Sequence, residues 1–282
     1  MSEALLTMEG VVAGYGGGDV LRGVTFDVPE GEITCVVGPN GAGKSTVMKA
    51  ISGLLKPRLG TITLRGEKIV GKSPRQILDL GVVQVPQNHS LFKDMTVHEN
   101  IDLGGYSLKD RSKIGQRIDA VYDLFPQVRG WAPMKAGALS GGQQRLVEFA
   151  RALMLDPKLI LLDEPSMGLS PMVLKSVFAA ARQMNASGAT VLLVEQNARA
   201  GLKLSQHGVV MENGTVRLAG SGREVLEHPE IAELYLGGAV KKSLKIFRGI
   251  SEVIPAYNNI VTSSHSLPYM PPINALRCLE HK

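Results

Sequence analysis

The chain has 282 residues, 44% of them apolar and 20% charged, which predicts a globular protein with a substantial hydrophobic core. No run approaches the roughly 18 to 20 apolar residues of a membrane-spanning helix, and residues 1–30 lack the features of a secretory signal. The two cysteines, Cys35 and Cys278, form no disulfide framework, so we expect a cytosolic setting in which a partner supplies membrane association.

The net charge of +5 is concentrated in residues 241–282, which hold four of the five excess positive charges. The remaining residues are near neutral and contain no basic helix or basic patch interleaved with aromatic side chains, the features that favour nucleic-acid binding. We therefore expect no nucleic-acid partner.

The first segment of the chain predicts β-strands. Apolar residues alternate along part of residues 20–28, and a turn is expected at residues 29–32. Tyr15 lies in a Gly-Tyr-Gly-Gly segment, where a turn residue is the ordinary interpretation.

Residues 38–46 read Gly-Pro-Asn-Gly-Ala-Gly-Lys-Ser-Thr, a complete phosphate-binding loop of the G-x-x-x-x-G-K-[ST] pattern. Residues 33–37 predict a strand before it, and residues 45–55 predict a helix whose N-terminus faces an anion. Lys44 is placed to reach the β- and γ-phosphates of a nucleotide, and Ser45 to offer its hydroxyl to Mg²⁺. The residues that we expect to bind the nucleotide in this loop are Gly38, Pro39, Asn40, Gly41, Ala42, Gly43, Lys44, Ser45 and Thr46.

Residues 88–155 are mainly helical in pattern, after a break at residues 56–60 and a strand at residues 61–64. Thr96 and Glu99 form a capping box that opens one helix, and helical spacing continues over residues 117–125. Gln87 precedes this stretch in a Val-Pro-Gln-Asn segment, where a polar loop residue is the alternative to a functional one.

A second candidate anion site begins in the segment Leu-Ser-Gly-Gly-Gln-Gln at residues 139–144. Ser140 can cap the helix that follows, with Gln143 three residues later. This helix start would present a hydroxyl, the amides of Gly141 and Gly142 and a positive dipole end to an anion. One chain rarely needs two such helix starts for one nucleotide.

Residues 159–165 read Leu-Ile-Leu-Leu-Asp-Glu-Pro and predict a buried parallel strand that ends in two carboxylates. Asp163 is placed to hold Mg²⁺, directly or through water. Glu164 is placed to polarise the attacking water in a phosphoryl transfer. The alternative is a strand followed by a solvated acidic turn.

The later segments predict a strand ending near Gln196, a hairpin turn at residues 212–215 and a final helix over residues 224–236. Three prolines at residues 268, 271 and 272 exclude a regular helix or central strand there. For residues 241–282, a regulatory role, a membrane contact and a passive appendage all remain open.

The order and content of these motifs resemble the ABC ATPases over residues 5 to about 238, with Leu139-Ser140-Gly141-Gly142-Gln143 as the signature motif. The resemblance implies an α/β fold, an ABC-type P-loop ATPase with a RecA-like core sheet, an antiparallel β subdomain and a helical subdomain. It implies an ATPase domain over residues 5–240, with the core at 5–87 and 156–240 and the helical subdomain at about 88–155. Residues 241–282 are then a C-terminal extension of unknown role.

The resemblance also implies roles for individual residues. In such proteins the signature of one subunit closes over the nucleotide held by another, so residues 140–143 are expected to act in trans. Tyr15 matches the aromatic side chain that stacks on adenine, and Gln87 the glutamine that contacts Mg²⁺ and the attacking water. Ser170 stands where many relatives have Asp, so contacts across the dimer seam are expected to differ.

Gln196 stands where the family carries a histidine that contacts the γ-phosphate. An amide can donate a hydrogen bond but cannot carry the positive charge of an imidazolium. We therefore predict that hydrolysis survives, more slowly and with less pH dependence from this position. The expected catalytic residues are Glu164, Gln196 and Gln87, and the expected Mg²⁺ ligands are Ser45, Gln87 and Asp163.

Three segments, at residues 164–171, 195–198 and 235–238, resemble one of the two ATPases of bacterial branched-chain amino acid importers. This implies an ATP- and Mg²⁺-dependent subunit bound to integral-membrane permease subunits, paired with a second ABC ATPase as a hetero- or homodimer. It also implies an indirect link to a periplasmic solute-binding protein and a peripheral place at the cytoplasmic face of the inner membrane.

Other functions stay open at this point. A related importer for amides, urea or other small solutes fits the same residues. A soluble ABC ATPase of repair or translation is disfavoured, because no long coiled-coil insert separates Lys44 from Ser140 and only one set of motifs is present. A nucleotide-binding switch with poor catalysis is suggested by Gln196 and opposed by Glu164.

Overall fold

The computed structural model describes residues 3–108 and 110–231. Its strands form two sheets, and its helices lie mainly between residues 97 and 204. The strands are β1 (Ala4–Ala13), β2 (Leu21–Pro29), β3 (Ile33–Val37), β4 (Leu59–Leu64), β5 (Glu67–Lys68), β6 (Val82–Val85), β7 (Leu159–Asp163), β8 (Thr190–Glu195), β9 (His207–Glu212) and β10 (Thr215–Ser221).

The α-helices follow the same chain order. They are α1 (Lys44–Ile51), α2 (Pro74–Asp79), α3 (Val97–Gly104), α4 (Ile114–Leu124), α5 (Pro126–Gly130), α6 (Gly141–Leu153), α7 (Pro171–Ala186), α8 (Ala198–Leu204) and α9 (Gly222–Glu227). Short 3₁₀ turns precede α4 and α6.

The larger sheet has six strands in the order β10-β9-β3-β8-β7-β6 and is parallel except for its edge strand β10. The smaller sheet has four strands in the order β2-β1-β4-β5, all antiparallel. Together with the helices of residues 97–153, these sheets give the α/β architecture expected from the sequence.

The central strands of the large sheet are apolar on both faces because each face is covered. In β8, Val191 and Leu193 pack in a core with the helices, whereas Leu192 and Val194 pack in a second core with the small sheet and α1. Successive side chains of a strand point to opposite faces, so one continuous apolar run supplies both cores. Cys35 lies in the same arrangement and is buried.

Several predicted elements are confirmed, with shifted ends. Capping boxes open α3 at Thr96 and α6 at Ser140, as the sequence indicated. Helix α1 ends at Ile51, earlier than predicted, because Gly53 adopts a left-handed conformation with φ 74°. The hairpin turn between β9 and β10 is also present.

The predicted final helix over residues 224–236 is wrong as a single helix. Helix α9 begins at Gly222 and ends at Glu227, and His228 is extended. Pro229 explains the break, because the residue before a proline is pushed out of the helical region. Residues 229–231 are helical again, and residues 232–236 lie outside the described residues, as does every prediction for residues 241–282.

Within residues 3–108 and 110–231, no helix combines the length and the apolar character that crossing a bilayer requires.

Candidate functional site

The carboxyl ends of the parallel strands meet at one edge of the large sheet, where an α/β sheet usually binds its ligand. A cleft of about 490 Å³ opens there, within the usual size range of ligand sites. The residues that line it are Tyr15, Val20, Asn40, Gly41, Gly43, Lys44, Ser45, Thr46, Gln87, Glu164, Met167 and Gln196.

The phosphate-binding loop forms one wall of this cleft and leads into α1. Gly43 is the N-cap of α1 and has φ 101°, a conformation that a side chain would strain. No side chain caps the first turn of α1, so backbone N–H groups at this helix start have no side-chain acceptor. An anion can therefore complete the helix start, which carries the positive end of its dipole.

Lys44 is 4% exposed, and its ammonium group lies at the bottom of the loop. Its Nζ donates to the carbonyl oxygens of Gly38, at 2.9 Å, and Pro39, at 3.2 Å. It also lies 3.4 Å from Oε1 of Glu164. Of the loop residues predicted to bind ATP, Gly38, Pro39 and Ala42 do not line the cleft, and the first two hold the lysine through their carbonyl groups.

Ser45 and Asp163 form the part of the site that suits Mg²⁺. The Ser45 hydroxyl donates to Oδ1 of Asp163 at 3.1 Å, so a hydroxyl oxygen and a carboxylate oxygen lie side by side. Hard oxygen donors of this kind fit Mg²⁺, which binds few protein ligands and keeps water and substrate phosphates as the others. The described residues contain no group of three or more His, Cys, Asp or Glu that would form an all-protein metal cage.

Burial raises the pKa of the Asp163 carboxyl, and the nearby charge of Glu164 adds to this effect. The hydrogen bond from Ser45 and the charge of Lys44 act in the opposite direction. A divalent cation beside this carboxylate would favour its charged form in the same way.

Glu164 is 8% exposed and has φ 45°, which is unusual for a residue with a side chain. Its backbone N–H donates to the carbonyl oxygen of Val194, which anchors the turn after β7 to β8. Its Oε2 accepts a hydrogen bond of 3.1 Å from Nε2 of Gln87. The structure thus brings together Glu164, Gln87 and Lys44, which lie far apart in the sequence.

Tyr15 and Gln196 lie at the outer parts of the cleft. The Tyr15 ring is 49% exposed, and Nζ of Lys49 lies 5.2 Å from its centroid. An exposed ring at the mouth of a phosphate site is available for stacking. Gln196 is exposed directly after β8 and lines the same cleft.

The signature segment does not line this cleft. Ser140 accepts from the backbone N–H of Gln143, and the Gln143 side chain accepts from the N–H of Ser140, so two N–H groups at the start of α6 are satisfied by its own side chains. Gly142 is required by packing, because a Cβ there would lie 2.0 Å from the Val173 side chain of α7. Within one chain, the two predicted anion sites are therefore separate.

Sequence reasoning missed a buried carboxylate beside the site. Glu195 is 1% exposed, and its two oxygens accept from the N–H of Ser166, at 3.1 Å, and from its hydroxyl, at 2.7 Å. Burial raises the pKa of the Glu195 carboxyl, and the hydrogen bonds from Ser166 act in the opposite direction. An acid at the end of the apolar strand of residues 191–194 was the available sign, as it was for Asp163.

The family model for ABC transporters matches residues 21–167. A high-affinity branched-chain amino acid transport ATP-binding protein, BraG of Pseudomonas aeruginosa, is 38% identical over 83% of this chain and 100% of its own length. A probable branched-chain amino acid transport ATP-binding protein, LivF of Archaeoglobus fulgidus, is 36% identical over 80% of this chain and 95% of its own length.

A solved structure of an ATP-binding cassette of an ABC transporter, in its ADP conformation, matches with a TM-score of 0.76 and 31% identity. The match covers 84% of this chain and all of that one. The chain belongs to the ABC transporter family, as an ATP-binding subunit.

Proposed function

We propose that this chain is the ATP-hydrolysing subunit of a bacterial importer for branched-chain or other hydrophobic amino acids. The observation that carries the enzymatic part is that Lys44, Ser45, Gln87 and Glu164 line one cleft, with Asp163 hydrogen-bonded to Ser45. The similarity to BraG and LivF over most of their lengths supports the transport part.

Nucleotide binding rests on the phosphate loop and Tyr15. The uncapped N-terminus of α1 and the Lys44 ammonium together offer backbone donors and one positive charge to the phosphates of ATP. Tyr15 offers its exposed ring to the adenine. In this proposal the charged end of the nucleotide lies deep in the cleft and the base lies at its mouth.

Hydrolysis rests on Glu164 and Gln87. The Glu164 carboxylate accepts a proton from, and orients, the attacking water, while Gln87 fixes the carboxylate by its hydrogen bond. Ser45 and Asp163 would hold Mg²⁺, which supplies charge neutralisation on the phosphate oxygens. Gln196 at the edge of the cleft would donate a hydrogen bond to the terminal phosphate.

The signature residues Ser140, Gly141, Gly142 and Gln143 would complete the site of a second ABC ATPase subunit. Their separation from the cleft of their own chain supports this arrangement, since a helix start that is not used in cis is free to act in trans. We favour a heterodimer with a related ATPase, because importers of the type resembled commonly use two different ATPases.

A membrane permease is the proposed partner of the helical region. Phe92 is 56% exposed and Leu103 37% exposed, and both line a groove between the large sheet and α3. Apolar side chains in an open groove favour docking of another protein. We propose a peripheral position at the cytoplasmic face of the inner membrane, with the periplasmic binding protein linked only through the permease.

The experiment that tests this function is purification of the tagged full chain from its own membranes. We expect co-purification of polytopic permease subunits and a second ABC ATPase, and release of phosphate from ATP that is stimulated by a loaded branched-chain amino acid binding protein. Phosphate release stimulated only by binding proteins for amides or urea would assign a related importer. Recovery of the chain without any membrane protein would favour a soluble ABC ATPase, and binding of ATP without phosphate release would favour a nucleotide switch.

A further inference from the structure

Helix α6 carries a buried ion pair that lies outside the lining of the nucleotide cleft. Arg145 is 3% exposed and Glu148 is 1% exposed, one turn apart on the helix, with the Arg145 Nη1 2.9 Å from the Glu148 Oε2. Neither residue lines the nucleotide cleft. Burial lowers the pKa of the Arg145 guanidinium, and the carboxylates of Glu148, Asp163 and Glu195 oppose that shift.

The polar atoms of this pair are directed at one loop, residues 86–90. Arg145 donates to the carbonyl oxygens of Pro86, at 2.8 Å, and Gln87, at 2.6 Å. Glu148 accepts from the backbone N–H of Ser90 at 2.6 Å, and its other oxygen lies 3.4 Å from Nδ1 of His89. Both ends of the loop are therefore held by two adjacent side chains of one helix.

A third side chain of α6 supports the same loop. Arg151 donates to the carbonyl oxygen of Ser90 at 2.9 Å and also to its hydroxyl. Burial lowers the pKa of Arg151, with Glu148 again opposing the shift. The loop backbone thus receives charge-assisted hydrogen bonds, which are stronger than those between neutral groups.

Stability alone does not account for the pair. Replacing a buried ion pair by apolar side chains is often neutral or stabilising, because the desolvation of two charges offsets their attraction. The Arg145 Nε also has no hydrogen-bond partner among the described residues. The pair instead fixes the position of the loop, since a planar guanidinium can donate hydrogen bonds to two successive carbonyl groups at once.

We propose that the Arg145–Glu148 pair is a positioning device for ATP hydrolysis. It fixes the backbone of residues 86–90 and so positions the Gln87 side chain, whose Nε2 lies 3.1 Å from Oε2 of Glu164. The proposal rests on the role of Gln87 given above. It adds two residues that do not line the nucleotide cleft and act through the loop; Glu148 also lines the groove that contains Phe92 and Leu103.

The test uses Glu148→Gln, Gln87→Ala and the double variant in the full chain with the subunits that co-purify with it. Glu148 accepts with both oxygens, and an amide can accept with only one, so the variant turns an N–H₂ group towards either Ser90 or Arg145. We expect kcat to fall at least about tenfold, with KM for ATP within about twofold, because misplacing a catalytic group is costly. Glu227→Gln is the control, since Glu227 forms an exposed pair with Arg223 one turn away on α9.

The double variant separates positioning from a general structural effect. If Glu148 acts through Gln87, the double variant is no slower than Gln87→Ala alone. A further tenfold loss in the double variant, or wild-type kcat in Glu148→Gln, would overturn the proposal. Absence of phosphate release from the wild-type assembly would instead count against the proposed function itself.

Hydrogen exchange gives a second readout that does not require hydrolysis. We expect the Ser90 amide to exchange at least about tenfold faster in Glu148→Gln, while amides of β7 and β8 are unchanged. If the single variant fails to fold, Arg145→Met with Glu148→Met removes both charges of the pair, so that neither is left buried without the other, and should fold with the same loss of kcat. Wild-type exchange at Ser90 would show that the pair does not hold the loop.

Discussion

The two glycine-rich helix starts of this chain differ in whether side chains accept hydrogen bonds from the backbone N–H groups of the first turn. Helix α1 begins after Gly43 with no side-chain cap and with a buried lysine, whereas α6 begins with a complete capping box between Ser140 and Gln143. The first start has no side-chain acceptor, whereas two N–H groups of the second are satisfied by its own side chains. The difference teaches that an anion can complete the first start within its own chain, whereas the second is stabilised without a ligand.

Glu164→Gln should give the largest loss of turnover. It should also hold the start of α1 in one subunit against the start of α6 in its partner. An amide cannot accept the proton of water, so we expect kcat to fall about 10²- to 10⁴-fold with little change in ATP affinity. An assembly with ATP trapped between Lys44 and the partner's signature should accumulate. Size-exclusion chromatography with ATP and Mg²⁺ measures this, with the exposed Glu67→Gln as control; a variant that stays monomeric would argue against shared sites.

Lys44→Ala should disable the first helix start alone. Loss of a buried ammonium that meets phosphate is expected to weaken ATP binding about 100-fold, in line with about 1.5–3 kcal/mol per charge-assisted hydrogen bond. Titration with a fluorescent ATP analogue measures it, and Lys72→Ala, which breaks an exposed pair with Glu67, provides the comparison. Unchanged affinity would remove Lys44 from the phosphate site.

Ser140→Ala should lower stability and phosphate release through the start of α6, without changing the affinity for nucleotide. We expect loss of the cap to cost about 1 kcal/mol of stability and phosphate release by the assembled subunits to fall about tenfold, or 1.4 kcal/mol in the barrier. Ser140→Asn separates the two roles, because Asn caps as well as Ser. Restored stability with low activity would support contact with a partner's nucleotide, and full recovery of both would leave capping as the only role.

Gln196→His should give a smaller effect at the edge of the same cleft. The imidazole can carry a charge that the amide cannot, so turnover should rise a few-fold and acquire a dependence on pH near the ordinary histidine pKa of about 6.5. Gln196→Ala should lower turnover by a similar factor. Equal turnover in wild type and both variants would remove Gln196 from the active site.

Glu195→Gln should give the smallest effect and concerns stability rather than turnover. Burial raises the pKa of Glu195 above its ordinary value of 4.5, so the folded state binds more protons than the unfolded state. The contribution of Glu195 to the free energy of unfolding therefore falls as pH rises from 4.5 through the raised pKa. Relative to wild type, the variant should gain stability over that range.

Urea unfolding at a series of pH values measures this difference, with the exposed Glu227→Gln as the control. A constant difference between Glu195→Gln and wild type across pH would show that Glu195 is not held in an unfavourable charged state.

The parts of this molecule that follow local rules were predictable from the sequence. Strand β7 with its terminal carboxylates, the phosphate loop before α1 and the capping box of α6 each depend on neighbouring residues. The end of α9 was missed although Pro229 stood in the sequence, because helical spacing was given more weight than the restriction on the residue before a proline.

The sequence by itself determined the family, the phosphate loop and the identity of the acids at Asp163 and Glu164, because each is written in a short run of residues. Only the tertiary structure decided that Gln87 donates a hydrogen bond to Glu164 and Ser166 one to Glu195. It also decided that Arg145 and Glu148 form hydrogen bonds with the backbone of residues 86–90. These contacts join residues about 30 to 80 positions apart, and their geometry depends on how the sheet and α6 pack. Local patterns carry no information on such distances, since the same side chains would suit a solvated surface equally well.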